Sequence, residues 1–156
     1  DALVAARAVG PGGEVLGVES SVALFTLVRE GLSSYDPGPE SALIQPVLGD
    51  SRELLSRSAA ASFDVVIVDP MFSQPAKSDG NFAALRDFAD PTTLDSEWIQ
   101  QARRVAKRWV VVKAGHAEPW FGSVGLRRVP GMETTRWWRA KGCSGTSEAL
   151  VRQSDR

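Results

Sequence analysis

Four consecutive β-branched residues, Val65-Val66-Ile67-Val68, run directly into Asp69-Pro70. Such side chains favour the pleated backbone, and an apolar run without polar alternation suits a parallel strand covered on both faces. Phe63 to Asp69 is therefore expected as a strand at the centre of a sheet. Similar runs recur. Glu14 to Glu19 and Trp109 to Lys113 read as strands ending in a charge, and Leu43 to Leu48 as a weaker one, because Pro46 cannot donate to a ladder. Helical stretches alternate with them. Asp1 to Val9 stops at Gly10-Pro11-Gly12-Gly13, and Val22 to Leu32 comes after Ser20-Ser21 as N-cap candidates. Ser51 to Ser58 reads as a short helix. Leu94 to Lys107 is amphipathic, with Asp95 near its start and Arg103, Arg104, Lys107 and Arg108 near its end, charges that suit the helix dipole. This alternation predicts an α/β fold, an open and mostly parallel sheet with right-handed crossovers. Gly125 to Val129 and Thr134 to Lys141, flanking Pro130-Gly131-Met132-Glu133, predict an antiparallel hairpin added at the C-terminal end.

At 156 residues the chain is expected to form a single domain with one core. No apolar run approaches the ~20 residues that span a bilayer, so no membrane partner is expected. Cys143 is the sole cysteine; it offers neither a disulfide nor a thiolate cluster, and no metal site is expected. That composition suits a reducing, cytoplasmic setting. Charge is uneven: residues 1–100 carry 6 Lys and Arg against 15 Asp and Glu, a balance of −9, and residues 101–156 carry 12 against 4, a balance of +8. A basic terminal third is what a nucleic-acid face requires, and equally what pairing with the acidic part requires. The oligomeric state stays open, a homodimer included. The polar stretch after Pro70, with Pro75, Lys77, Ser78 and Gly80, reads as a long loop of the kind that covers sites.

Ligands of open α/β sheets bind beyond the carboxyl ends of the strands, and three strands end in or just before an acid: Glu19, Asp50 and Asp69. In one sheet they would converge. Glu19 has the two acceptor oxygens needed for a ribose diol, or is a solvated acid near a helix N-terminus. Asp50 is an acceptor for an adenine amino group, or caps the helix through Asp50-Ser51-Arg52-Glu53, which resembles a capping box. Asp69-Pro70-Met71-Phe72 matches a sharper chemical need. An exocyclic amino group is a weak nucleophile because its lone pair is delocalised, and acceptors on both N–H bonds, the Asp69 carboxylate and the Pro70 carbonyl, favour its pyramidal form. Phe72 would stack on an extruded base; the plain reading is an Asp-Pro turn with Phe72 in the core. Lys113 would meet an RNA phosphate, or snorkels. His116 is a candidate base or a loop residue. Arg136-Trp137-Trp138-Arg139-Ala140-Lys141 interleaves cations with aromatics, as nucleic-acid surfaces and half-buried strands both do.

The strand Asp64 to Val68 with Asp69-Pro70-Met71-Phe72, Lys77-Ser78 beyond it, and Val110-Val111-Val112-Lys113 together resemble the small-subunit ribosomal RNA guanine-N2 methyltransferases of the RsmJ type. More broadly, they resemble class I methyltransferases with an Asp/Asn-Pro-Pro-aromatic motif. The resemblance implies a Rossmann-like fold, S-adenosylmethionine as cofactor and ribosomal RNA as partner. It implies that Glu19 holds the ribose and Asp50 the adenine, and that Ser20, Ser51 and Asp69 lie at the cofactor too. It makes Asp69, Pro70, Met71 and Phe72 catalytic, and Phe72, Lys77 and Lys113 substrate-binding. The methyl group would pass in line to guanine N2 without a metal or a covalent enzyme intermediate. Ser73 and Ala114 stand where that family commonly has proline and arginine. The opening Asp1-Ala2-Leu3-Val4-Ala5-Ala6 resembles the segment just after the family's glycine-rich cofactor loop, so a strand and that loop are expected upstream. Two other readings remain: methyl transfer to DNA or a small molecule, and a non-catalytic module that binds a nucleotide or RNA.

Overall fold

A computed structural model of the chain describes residues 1–36, 38–70, 87–114, 117–130 and 137–143. These fall into two compact units, Asp1–Glu53 with the described part of Asp79–Asp90, and Leu54–Ser78 with Pro91–Arg156 where described.

In the first unit, helix α1 (Ala2–Val9) is followed by strand β1 (Glu14–Glu19), helix α2 (Val22–Ser33) and strand β2 (Leu43–Leu48). Gly10 ends α1 at φ 81° and ψ 179°, backbone that a Cβ would disfavour. β1 and β2 pair in parallel, with Glu14 opposite Leu43 and Glu19 opposite Leu48. Pro46 is tolerated opposite Gly17 because, among the described residues, β2 pairs on one side only. Ala6 and Ala42 are the buried apolar residues here, joined where the Ala42 N–H donates to the Ala6 carbonyl at 2.9 Å. Ser21 caps α2, its side chain accepting from the Leu24 N–H at 3.3 Å. Helix α3 (Ser51–Arg57) comes after β2.

The second unit holds β3 (Phe63–Val68), helix α4 (Ser96–Val105), β4 (Ala106–Lys113), β5 (Arg127–Arg128) and β6 (Trp137–Lys141), in one sheet of order β3-β4-β6-β5. β3 and β4 run parallel, whereas β6 is antiparallel to both β4 and β5. The architecture is α/β with mixed sheets, and the expected mostly parallel sheet is not what the described strands form. The predicted hairpin is present, but its second strand lies between β4 and β5. Packing explains this order: β6 brings Trp138 and Ala140 to the core face, while the two-residue β5 carries exposed Arg127 and Arg128. Strand predicted over Gly125 to Val129 shrinks to those two arginines.

Val66 pairs with Val110 and Val110 in turn with Ala140, as Val68 does with Val112 and Val112 with Trp138; this row faces α4. Ile99, Ala102 and Val105 of α4 complete the core with Phe121, Val124 and Leu126. Phe121 meets Trp138 edge-on, ring centroids 5.0 Å apart.

Two further expectations are corrected. β3 is an edge strand among the described residues, not a central one, and Val65 and Ile67 on its other face are 43% and 46% exposed. An apolar run records that a strand needs covering, not which neighbour covers it. Helix α4 ends at Val105 rather than Lys107, and β4 starts at once, so Lys107 and Arg108 are strand residues. The Gly142 N–H donates to the Arg108 carbonyl, and the Cys143 N–H to that of Ala106, each at 2.9 Å. A Cβ on Gly142 would collide with the Ala106 carbonyl. That long-range pairing draws the segment out of helix.

Candidate functional site

Both sheets place charged side chains at their carboxyl edges. In the first unit the Gly49 N–H donates to the Glu19 carbonyl at 3.0 Å, which continues the β1–β2 ladder by one step and brings the ends at Glu19 and Asp50 together. Glu19 is half-buried, and its Oε1 accepts the Ser21 N–H at 2.8 Å. Exposed Asp50 accepts the Arg52 N–H through Oδ1 at 2.7 Å. This contact is two residues along, tighter than the three of a capping box. Each acid thus satisfies an N–H at the start of a helix. Each carboxylate has a second oxygen, so ligand binding and capping are compatible. Ser20, exposed, donates to Asp90 Oδ2 at 3.3 Å, a partner 70 residues away that no local pattern announces. Ser51 opens α3.

In the second unit the in-register pair Val68 and Val112 sends Asp69 and Lys113 off adjacent parallel strands side by side. Lys113 Nζ donates to Asp69 Oδ2 at 2.9 Å, the two side chains being 24% and 36% exposed. Antiparallel β6 begins at the same edge, where Trp137 opposes Lys113, and Lys113 Nζ sits 5.7 Å from the Trp137 ring centroid. Such an approach is attractive when partly desolvated. Pro70 comes directly after Asp69, fixing its own φ and restricting the aspartate before it.

The sequence identified Asp69 and Lys113 separately, and the structure pairs them; it named Trp137 only within Arg136 to Lys141, where the alternation reads equally well as a half-buried strand, and did not connect it with Lys113. Of the three acids, Glu19 and Asp50 stand at the ends of the paired strands β1 and β2, and Asp69 at the end of β3. Met71, Phe72, Lys77 and His116, and the loop expected after Phe72, lie outside the described residues. Cys143 packs with its thiol 3.3 Å from the Ala106 carbonyl. Among the described residues no three His, Cys, Asp or Glu side chains gather to hold a metal ion, and no helix is long and apolar enough to cross a membrane.

No family model matches the chain. It is 38% identical over 131 residues to the Bacillus subtilis (strain 168) protein YpiP, itself described as uncharacterized. The alignment covers 81% of this chain and 51% of YpiP, so the chain spans about half the length of that relative. A solved structure of a candidate methylase from Haemophilus influenzae, HI0767, matches 83% of this chain and 66% of its own at 14% identity and a TM-score of 0.48. A likeness that slight carries no argument about activity.

Proposed function

We propose that the chain is the greater part of an S-adenosylmethionine-dependent N-methyltransferase domain, with guanine N2 of small-subunit ribosomal RNA as its target. The observation that carries this reading is the placement of Asp69. It leaves the carboxyl end of a parallel strand, where such sheets bind ligands, followed by a proline that limits its backbone and held by a lysine from the next strand. Asp69 carboxylate and Pro70 carbonyl are two acceptors one residue apart. Directed at the two N–H bonds of an amino group, they raise its nucleophilicity and fix its line of attack.

The cofactor supplies an electrophilic methyl group on a sulfonium. The donor chemistry of the first unit suits it: two carboxylates at neighbouring strand ends, Glu19 for a ribose diol and Asp50 for an adenine amino group. Both oxygens engaged by helix N–H groups, Glu19 Oε1 and Asp50 Oδ1, fix the carboxylates' orientation for that task. No metal enters this scheme, and the aligned reactants supply most of the acceleration. The balance of +8 over residues 101–156 favours a polyanionic substrate.

The deciding measurement is transfer of labelled methyl from S-adenosylmethionine to unmodified small-subunit ribosomal RNA by the full-length protein. Asp69→Ala is expected to lower kcat about a hundredfold or more, as loss of a preorganised polar contact does elsewhere. Full activity of that variant refutes the assignment. A second reading, a non-catalytic nucleotide-binding module, rests on the two oriented carboxylates of the first unit alone. Calorimetric binding of the cofactor without any methyl transfer, to RNA, DNA or a small amine, would establish it instead.

A further inference from the structure

We infer that Lys113 is a positioning residue for this reaction: it holds Asp69 by one oxygen, Oδ2, so that Oδ1 is presented to the substrate amino group. The inference rests on the proposed role of Asp69 as acceptor for that group, and it replaces the RNA phosphate that the sequence suggested for Lys113.

The geometry is specific. A lysine seeking phosphate or snorkelling to water carries its ammonium outward. Lys113 instead sets its ammonium 2.9 Å from a neighbouring carboxylate, with three quarters of its side chain covered. Trp137, opposite it across the β4–β6 ladder, places an aromatic ring 5.7 Å from the same ammonium and narrows the volume the long side chain samples. Asp69, Lys113 and Trp137 thus come from three adjacent strand ends at one edge.

The consequence concerns rotation. The terminal torsion of an aspartate is broad and roughly two-fold, so an unassisted carboxylate offers its acceptor lone pairs over a wide arc. A cationic donor on Oδ2 selects one orientation and leaves Oδ1 in a defined plane. As ion pairs this exposed contribute little stability, the contact's worth lies in orientation. A lysine suits the task better than an arginine, whose planar fork can engage both carboxylate oxygens.

The test compares Lys113→Met, Lys113→Arg, Asp69→Ala and the Asp69→Ala/Lys113→Met double variant in the full-length protein, with cofactor and RNA concentrations both varied. Lys113→Met is expected to lower kcat about tenfold to a hundredfold. KM for RNA and for cofactor should change less than about threefold, and the thermal midpoint should hold. Lys113→Arg should recover part of kcat because it keeps a cationic donor on the carboxylate. The double variant should be no slower than Asp69→Ala alone, the non-additivity of residues acting as one unit. A raised KM for RNA with unchanged kcat at saturation overturns the inference in favour of phosphate contact. So does wild-type kinetics in Lys113→Met beside an inactive Asp69→Ala, or a lowered midpoint with no recovery by arginine. An active Asp69→Ala instead removes the proposed role of Asp69 itself, and the two failures are thereby distinct.

Discussion

Replacing Arg104 by methionine tests how the second unit is held together. The Arg104 guanidinium donates to the Leu55 carbonyl at 2.6 Å and the Ser58 carbonyl at 2.8 Å, while its Nε reaches Gln101 Oε1 at 2.8 Å. The first two acceptors belong to the last turn of α3 and the residue after it, where carbonyls run short of helical partners; the Leu55 carbonyl has only a long 3.3 Å contact from the Ser58 N–H. Methionine keeps much of the apolar stem and removes only the donors. Two hydrogen bonds at about 1 kcal/mol each, with about 0.5 kcal/mol for a cation at a helix C-terminus, give a loss of about 2.5 kcal/mol. The Ser56 carbonyl, at 3.5 Å, is too distant to add to this. For a chain of this length that loss lowers the thermal midpoint by about 5–10 °C. Urea unfolding followed by circular dichroism measures it, with Arg104→Lys expected between wild type and methionine. Arg104→Met within about 0.5 kcal/mol of wild type would show that water replaces the guanidinium without loss, and the reasoning would fail.

Ile99 is fully buried between α4 and the sheet, so Ile99→Ala should cost about 3–4 kcal/mol and Ile99→Val about 1 kcal/mol, again read from urea midpoints. Asp95 accepts the Trp98 N–H at 2.8 Å as the cap of α4; Asp95→Ala should cost about 1 kcal/mol, and a neutral result in calorimetric unfolding would remove the cap from the account.

Local features are legible in the amino-acid order itself. The bounds of β1 and β2, the cap at Ser21 and the stop at Gly10 each depend on a few adjacent residues, and each forms as expected; α4 starts at Ser96 rather than Leu94, with Asp95 as its cap. Pairing is not legible. By charge Arg103 and Arg104 suit the dipole of their own helix, yet Arg103 Nε reaches the Lys141 carbonyl at 2.9 Å and its Nη1 the Val124 carbonyl at 3.1 Å. Arg104 serves α3 instead. Lys107 and Arg108 fit a helix end by charge but belong to a strand, because β6 and Gly142 lie against them from more than 30 residues away. The site divides along the same line. That Asp69 and Lys113 end strands is local information; that one side chain grips the other depends on the β3–β4 register, which no run of residues encodes alone.

The four-stranded sheet has unlike margins. At one, β5 is two residues long and carries Arg127 and Arg128, with Arg127 directly opposite Arg139; short length and repelling charge discourage any newcomer from hydrogen-bonding there. At the other, six residues of β3 offer backbone donors and acceptors that meet no strand among the described residues, beside the half-exposed Val65 and Ile67. Addition is therefore polarised: a strand joining this sheet meets little resistance at β3 and electrostatic refusal at β5.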